Sequence, residues 1–243
     1  MKRSIAMAAY NGSEFISEQI ESILSQLDIN DELVISLDAS QDNTQDIINY
    51  YVSIDNRVKL VHNELSGVVK NFENAIRNCN GDIIFLSDQD DVWLDGKISK
   101  VTNEFLDNEN TLAVIHDYKL VNEDLSLISD SGFELRGGAS ASVIGNIYRL
   151  RYIGCCMAFR KEVVSFILPI PTKKRSHDWW IGTIVGMHGK VKVLNDKLIL
   201  HRMHGNNATP KKRQSLSYMI AIRFLIIRKV LFRYFKLKCY GSI

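Results

Sequence analysis

The sequence predicts an α/β fold: a mainly parallel central sheet flanked by helices in one domain, followed by a basic amphipathic helical tail. Three observations carry that expectation. Short apolar runs alternate with segments of helical periodicity, those runs end in acid-bearing turns, and the chain beyond Lys211 is cationic and apolar together. At 243 residues, 46% hydrophobic and 24% charged, the composition is that of an ordinary globular protein with a real core.

The first run, Ile5 to Ala9, reads as a strand ending at Tyr10-Asn11 and is too short for the apolar region of a signal peptide. Phe15, Ile16, Ile20, Ile23, Leu24 and Leu27 then recur at helical spacing, with Ser13 as an amino-terminal cap. Leu33 to Leu37 is a strand ending at Asp38. Thr44 to Tyr51 is helical, Val58 to His62 a strand, and Val68 to Asn78 a helix. The turn signal Asn80-Gly81 opens the buried strand Ile83 to Ser87, which delivers Asp88-Gln89-Asp90-Asp91-Val92-Trp93. A second reading makes those acids the cap of a helix over Val92 to Leu106. Residues 126–145 look loop-like, with Gly132 and Gly137-Gly138. Past them come a helical pattern at His177-Asp178-Trp179-Trp180, Ile181, Ile184 and Val185, and an apolar stretch, Val191 to Leu200, ending at His201 to Asn207. The expected divisions are residues 1–125, 126–207 and 208–243.

Ligands of open α/β sheets sit beyond the carboxyl ends of strands, so Asp38 and the Asp88 to Asp91 cluster converge on one pocket with Tyr10. Three packed carboxylates call for a cation. Oxygen ligands with Asp88 and Asp90 one residue apart suit Mg²⁺ or Mn²⁺, whereas zinc would want Cys or His nearby. Asp38 is either a turn residue or an acceptor for a pyrimidine N3–H beneath the Tyr10 ring. Neither GxGxxG nor GxxxxGK[ST] occurs, so phosphates would be neutralised by the metal. Cys79, Cys155, Cys156 and Cys239 lack metal-ligand spacing and suggest no disulfide framework, which points to a reducing cytoplasm.

Taken in order, Ala8-Ala9-Tyr10-Asn11-Gly12, Asp31 to Ser36, Asp38 to Thr44, Lys70-Asn71-Phe72 and Phe85 to Trp93 resemble the inverting family 2 glycosyltransferases of the GT-A fold. That family includes bacterial rhamnosyltransferase-like enzymes of surface polysaccharide and O-antigen assembly. The resemblance covers roughly residues 4–207. It implies that Ala8, Tyr10, Asp38, Lys70, Asp88, Gln89 and Asp90 hold a nucleotide-diphosphate sugar, with Asp90 the direct metal ligand of the DXD motif. The family's usual Asp-Asp pair appears here as Leu37-Asp38, which loosens the expectation for the base. Asp178 resembles the catalytic base that would deprotonate an acceptor hydroxyl. His204 is a further candidate metal ligand, Arg202 a candidate phosphate contact, and Trp179 and Trp180 candidate platforms for a saccharide acceptor.

Between Lys211 and Lys238 the sequence has nine Lys or Arg and no Asp or Glu, interleaved with aliphatic and aromatic residues. A transmembrane span would be less interrupted. The expectation is a helix lying on anionic membrane, which would place a cytoplasmic protein peripherally on the inner face with a lipid-linked acceptor. The alternative is a tail docked on the domain with a solvated basic face. Nucleic-acid binding is not expected, since no recognition module is present. Two rival functions share the acidic strand ends: a nucleotidyltransferase using Lys70 and Lys97 for a triphosphate, and a non-catalytic nucleotide-sugar or glycan binder.

Overall fold

The computed structural model describes residues 1–148, 152–171, 177–205, 224 and 227–235. Nine strands form one sheet: β1 (Arg3–Ala9), β2 (Glu32–Leu37), β3 (Val58–His62), β4 (Ile83–Asp88), β5 (Val92–Trp93), β6 (Thr111–Val121), β7 (Leu127–Ser129), β8 (Met157–Arg160) and β9 (Lys190–Arg202). The longer helices are α1 (Ile16–Leu24), α2 (Thr44–Ile54), α3 (Val68–Asn78), α4 (Lys97–Leu106) and α8 (His177–His188). The short helices α5 (Gly132–Leu135), α6 (Val143–Tyr148) and α7 (Val164–Ile167) lie between β7 and α8.

The strand order is β3-β2-β1-β4-β8-β6-β9-β5, with β7 added on β6. The first four strands are parallel, as their helix-separated apolar runs require. Helices cover both faces there, which is why β2 and nearly all of β4 are buried along their length. The carboxyl half mixes directions: β8 is antiparallel to β4 and β6, whereas β9 runs parallel to β6.

Register places the functional edge. Ala8 stands beside Ser36 on β2 and Asp88 on β4, so Tyr10, Asp38 and the acidic turn leave the sheet side by side.

Two expectations are corrected here. Val92 and Trp93 pair with Leu200 and Ile199 as a short strand, and the following helix starts only at Lys97, after Gly96 at φ 83°. The stretch expected as loop from 126 to 145 holds β7, α5 and the start of α6. The Ser131 hydroxyl donates to Asp117 Oδ2 (2.6 Å) and accepts from Glu134 N (3.2 Å), capping α5. The membrane-lying helix expected over 211–238 falls largely outside the described residues. Among the described residues, no helix is long and apolar enough to cross a membrane.

Candidate active site

The amino-terminal wall is locked by short-range polar contacts. The Asp38 carboxylate accepts from the amides of Ala39 (2.9 Å) and Gly67 (2.7 Å), which fixes its direction at the strand end. Asn11, in the left-handed region at φ 44°, accepts at Oδ1 from Gln41 N (2.8 Å), while its own amide donates to Ser40 Oγ (3.0 Å). Those bonds leave the neighbouring Tyr10 ring exposed.

Gln89 behaves differently from expectation. Its Oε1 accepts from Tyr10 N (2.7 Å) and its Nε2 donates to Tyr10 O (2.8 Å), so the amide stitches two loops together rather than facing a donor. A Cβ on Gly12 would meet that amide at 2.3 Å, which explains the glycine. Lys70 Nζ donates to Glu73 Oε2 (2.8 Å) on its own helix, and Glu73 also accepts from Arg77 and from Ile170 N.

The acidic turn is an electrostatic problem held in place by β9. Burial, then the charges of Asp91 and Asp90, push the Asp88 carboxyl well above the ordinary carboxylate range. Burial also raises Asp91, but His201 outweighs it and holds the carboxyl below its usual value. His201 Nδ1 lies 2.8 Å from Asp91 Oδ1, and Arg202 N donates to the same oxygen (3.1 Å). Burial would lower His201, yet Asp91 raises it to about 9. At the mouth, His204 Nε2 approaches Asp90 Oδ2 at 2.8 Å, with Phe15 packed 4.9 Å from the imidazole.

Arg202 is not a phosphate contact. It is buried, donates to the carbonyls of Asp90 (3.0 Å) and Glu123, pairs with Glu18, and lies over the Phe15 ring at 4.6 Å. It ties the acidic turn to α1 and to the end of β6.

A divalent cation fits this donor set. Asp88 resists ionisation without a counter-charge, and Asp90 with His204 presents a carboxylate oxygen and an imidazole nitrogen on the open side. Deeper in, Asp91, Cys155 and His201 also bring ligand atoms within 4.8 Å of one another. Asp91 Oδ1 and His201 are ion-paired and Cys155 Sγ lies 3.9 Å from His201 Nδ1, while Asp91 Oδ2 is buried without a partner. The outer pair is bonded too, at 2.8 Å, but brings no thiol, and on that ground its donors are the better match to an oxygen-preferring ion.

On the opposite wall, Asp178 lies in the first turn of α8, its Oδ1 accepting from Trp179 N (2.7 Å) and its charge reaching Asp88. Trp179 and Trp180 are 2% and 1% exposed, and their indole N–H groups donate to Asn146 O (2.9 Å) and Ile167 O (2.8 Å). Neither ring offers a face to an acceptor sugar; both are core anchors of α8, because buried indoles combine large apolar area with one satisfied donor.

The contacts of several neighbours escaped sequence reasoning. His177 stacks on Phe72 at 4.2 Å, with Gly154 so close that a Cβ would sit 2.7 Å from its Nε2. Lys97 is buried, donates to Cys155 O (2.8 Å), and lies 3.8 Å from the Trp93 ring centre. Burial pushes it down to about 8. The third acid of the turn, Asp91, was the one signal that pointed at His201.

Comparison with known proteins bears on the family and the fold. Residues 4–168 match the family model described as Glycosyl transferase family 2. An uncharacterized glycosyltransferase of Nostoc sp. is 27% identical over 217 residues, covering 85% of this chain and 66% of the relative. The dTDP-rhamnosyl transferase RfbG of Shigella flexneri is 30% identical over 218 residues, covering 83% and 72%. A third relative, the UDP-Glc:alpha-D-GlcNAc-diphosphoundecaprenol beta-1,3-glucosyltransferase WfgD of Escherichia coli, is 32% identical over 122 residues, covering 50% and 47%. The chain thus spans about two thirds of the first two relatives and about half of the third. Among solved structures, S. aureus TarS 1-349 in complex with UDP-GlcNAc superposes with TM-score 0.71 at 18% identity, covering 97% of this chain and 73% of that one. Glucosyl-3-phosphoglycerate synthase from Mycobacterium tuberculosis, in complex with Mn2+, UDP and glucosyl-3-phosphoglycerate, gives TM-score 0.62 at 17% identity, covering 96% and 79%.

Proposed function

The chain belongs to glycosyl transferase family 2, and we propose that it transfers a sugar, with inversion, from a nucleotide-diphosphate donor to a saccharide hydroxyl in bacterial polysaccharide synthesis. The observation that carries this reading is the convergence, on one sheet edge, of Asp38, the exposed Tyr10 ring, the Asp88–Asp90–His204 mouth and Asp178. RfbG and WfgD carry dTDP-rhamnosyl and UDP-Glc in their names, which favours a UDP- or dTDP-sugar, with rhamnose or a hexose transferred. The WfgD acceptor is diphosphoundecaprenol-linked, which favours a lipid-linked acceptor here.

In this mechanism Tyr10 stacks on the base and Asp38 accepts a hydrogen bond from its imide N–H. Asp90 and His204 would hold Mn²⁺ or Mg²⁺, which when bound would supply positive charge against the leaving diphosphate. Asp178 takes the proton of the acceptor hydroxyl as its oxygen bonds to the anomeric carbon. The anomeric C–O bond to the diphosphate breaks on the opposite side, and its electron pair leaves with the nucleotide. Inversion follows from that single displacement, with no sugar–enzyme bond.

Nucleotidyl transfer is disfavoured because both cations it would need are engaged: Lys70 by Glu73, and Lys97 beneath Trp93. The test is nucleoside diphosphate release from UDP-, dTDP- and GDP-sugars, with Mn²⁺ or Mg²⁺ and an undecaprenyl-diphosphate-sugar acceptor. Release from one donor, dependent on metal and acceptor, supports the reading. Pyrophosphate release from a nucleoside triphosphate with a sugar phosphate, and none from any nucleotide sugar, would replace it.

A further inference from the structure

In the helix over residues 227–235, Lys229 and Arg233 turn toward the domain, while Leu231, Phe232 and Phe235 turn outward beside Arg228. Arg233 donates from Nη1 to the carbonyls of Leu168 (2.6 Å) and Phe166 (3.4 Å), and from Nη2 to Pro169 O (2.9 Å). Lys229 Nζ donates to Pro171 O (2.7 Å), Val230 is buried in the core, and the Tyr234 ring meets His188 edge-on at 5.6 Å. At about 3.6 residues per turn, positions 229, 230, 233 and 234 share one side of the helix. That side is docked on the domain.

Positions 228, 231, 232 and 235 share the other side. There Leu231 is 44% exposed, Phe232 71% and Phe235 58%, next to exposed Arg228. Phe224, also helical and 69% exposed, falls on the same stripe by its spacing. A helix that meets water does the reverse, turning its apolar stripe to the core and its cations to solvent. Here two cations are consumed by backbone carbonyls of the domain, so a tail with a solvated basic face does not describe these residues. Rings left outward as a continuous stripe mark an interaction surface.

Charge identifies the occupant. Besides the docked Lys229 and Arg233, the sequence from Lys211 to Lys238 carries seven Lys or Arg and no acid, whereas an apolar groove on a protein would require no such excess. An anionic bilayer satisfies both features, taking the rings at the acyl boundary and the cations at its headgroups. We propose that Phe224, Leu231, Phe232 and Phe235 seat this protein on anionic phospholipid, with Arg228 at the headgroup level. Arg233 also lies over the Trp180 ring at 5.7 Å, so the seated helix leans on the element that carries Asp178. Vesicle binding requires no donor, so the inference stands or falls separately from the transfer reaction.

The test uses the full chain and sedimentation with vesicles of phosphatidylcholine containing one quarter phosphatidylglycerol, against phosphatidylcholine alone. The wild type is expected to sediment with the anionic vesicles and to be released by high salt. Phe232→Ser with Phe235→Ser should weaken binding about tenfold or more, since each ring leaves an apolar environment. Arg228→Ser should weaken it about fivefold, the equivalent of ~1 kcal/mol for one near-surface cation. Both sites are exposed, so an unchanged melting temperature will certify folding. Wild-type protein left in the supernatant with anionic vesicles overturns the proposal, as does a double variant that binds like wild type. A vesicle-free dimer that the double variant dissociates, with no lipid binding, assigns the face to a second copy instead.

Discussion

Asp178→Asn separates chemistry from binding at this site. The substitution keeps the side chain's shape, and the asparagine oxygen can still accept from Trp179 N, the 2.7 Å contact that fixes the first turn of α8. The indoles that anchor the helix are untouched, so stability should change by less than about 0.5 kcal/mol. On the proposed mechanism, what is lost is the proton acceptor for the attacking hydroxyl. General-base catalysis contributes roughly 10²- to 10⁴-fold, equivalent to ~2.7–5.5 kcal/mol of barrier. Turnover should fall within that range. Removing one negative neighbour of Asp88 eases its ionisation, so metal-dependent donor affinity should hold or tighten slightly. The assay pairs steady-state nucleoside diphosphate release with calorimetric titration of the donor nucleotide. A turnover loss below tenfold, or a loss of donor affinity matching the loss of turnover, would refute the assignment.

Other consequences are structural. Trp180→Ala removes a buried indole and leaves Ile167 O unpaired, for a cost of about 3–5 kcal/mol; thermal melting should drop by roughly 6–20 °C. If Trp180 were an acceptor platform, the melting point would hold while the acceptor KM rose. Gly132→Ala would place a Cβ 1.9 Å from the buried Tyr118 ring, and overpacking of this kind costs about 1–3 kcal/mol, visible in urea denaturation. Glu32 is opposed by burial, but Lys59, Ser4, Asn80 and Lys2 together hold it down to about 2. Its folded pKa lies below the ordinary glutamate value of 4.5, so its contribution is full above that pH and is lost as pH falls toward 2. A Glu32→Gln variant should therefore melt lower at pH 6 and lose less stability than wild type on acidification; parallel pH curves would contradict this.

The strand ends were legible because apolar runs bounded by turn residues leave few alternatives, and parallel order then puts Tyr10, Asp38 and Asp88 on one edge. Asp90 and His204 also meet, although 114 positions apart, because β9 returns to the acidic turn. Side-chain allegiance was not legible. Nothing in the spelling of Gln89 announces a two-way pairing with Tyr10, nor does Trp179-Trp180 reveal that both rings point inward. Arg202 reads as a phosphate contact until Glu18 and the Asp90 carbonyl are found around it. The stretch from 126 to 145 hid β7 and α5 because elements of three or four residues are too short to show a period, and a Ser131–Asp117 contact rather than patterning starts α5. The tail's pattern was visible, but which side of the helix faced the domain was not, since cations more often face water.

The most direct test of the central claim is thermal stabilisation by UDP, dTDP, GDP and CDP, each with and without Mn²⁺, for the wild type and Asp90→Ala. A specific nucleotide at about 100 times its dissociation constant adds ~2.7 kcal/mol of stability. One nucleotide should raise the melting temperature only when Mn²⁺ is present, and the Asp90→Ala protein should lose that response. Stabilisation that ignores the metal, or that survives in Asp90→Ala, would contradict a metal-bridged diphosphate site at this sheet edge.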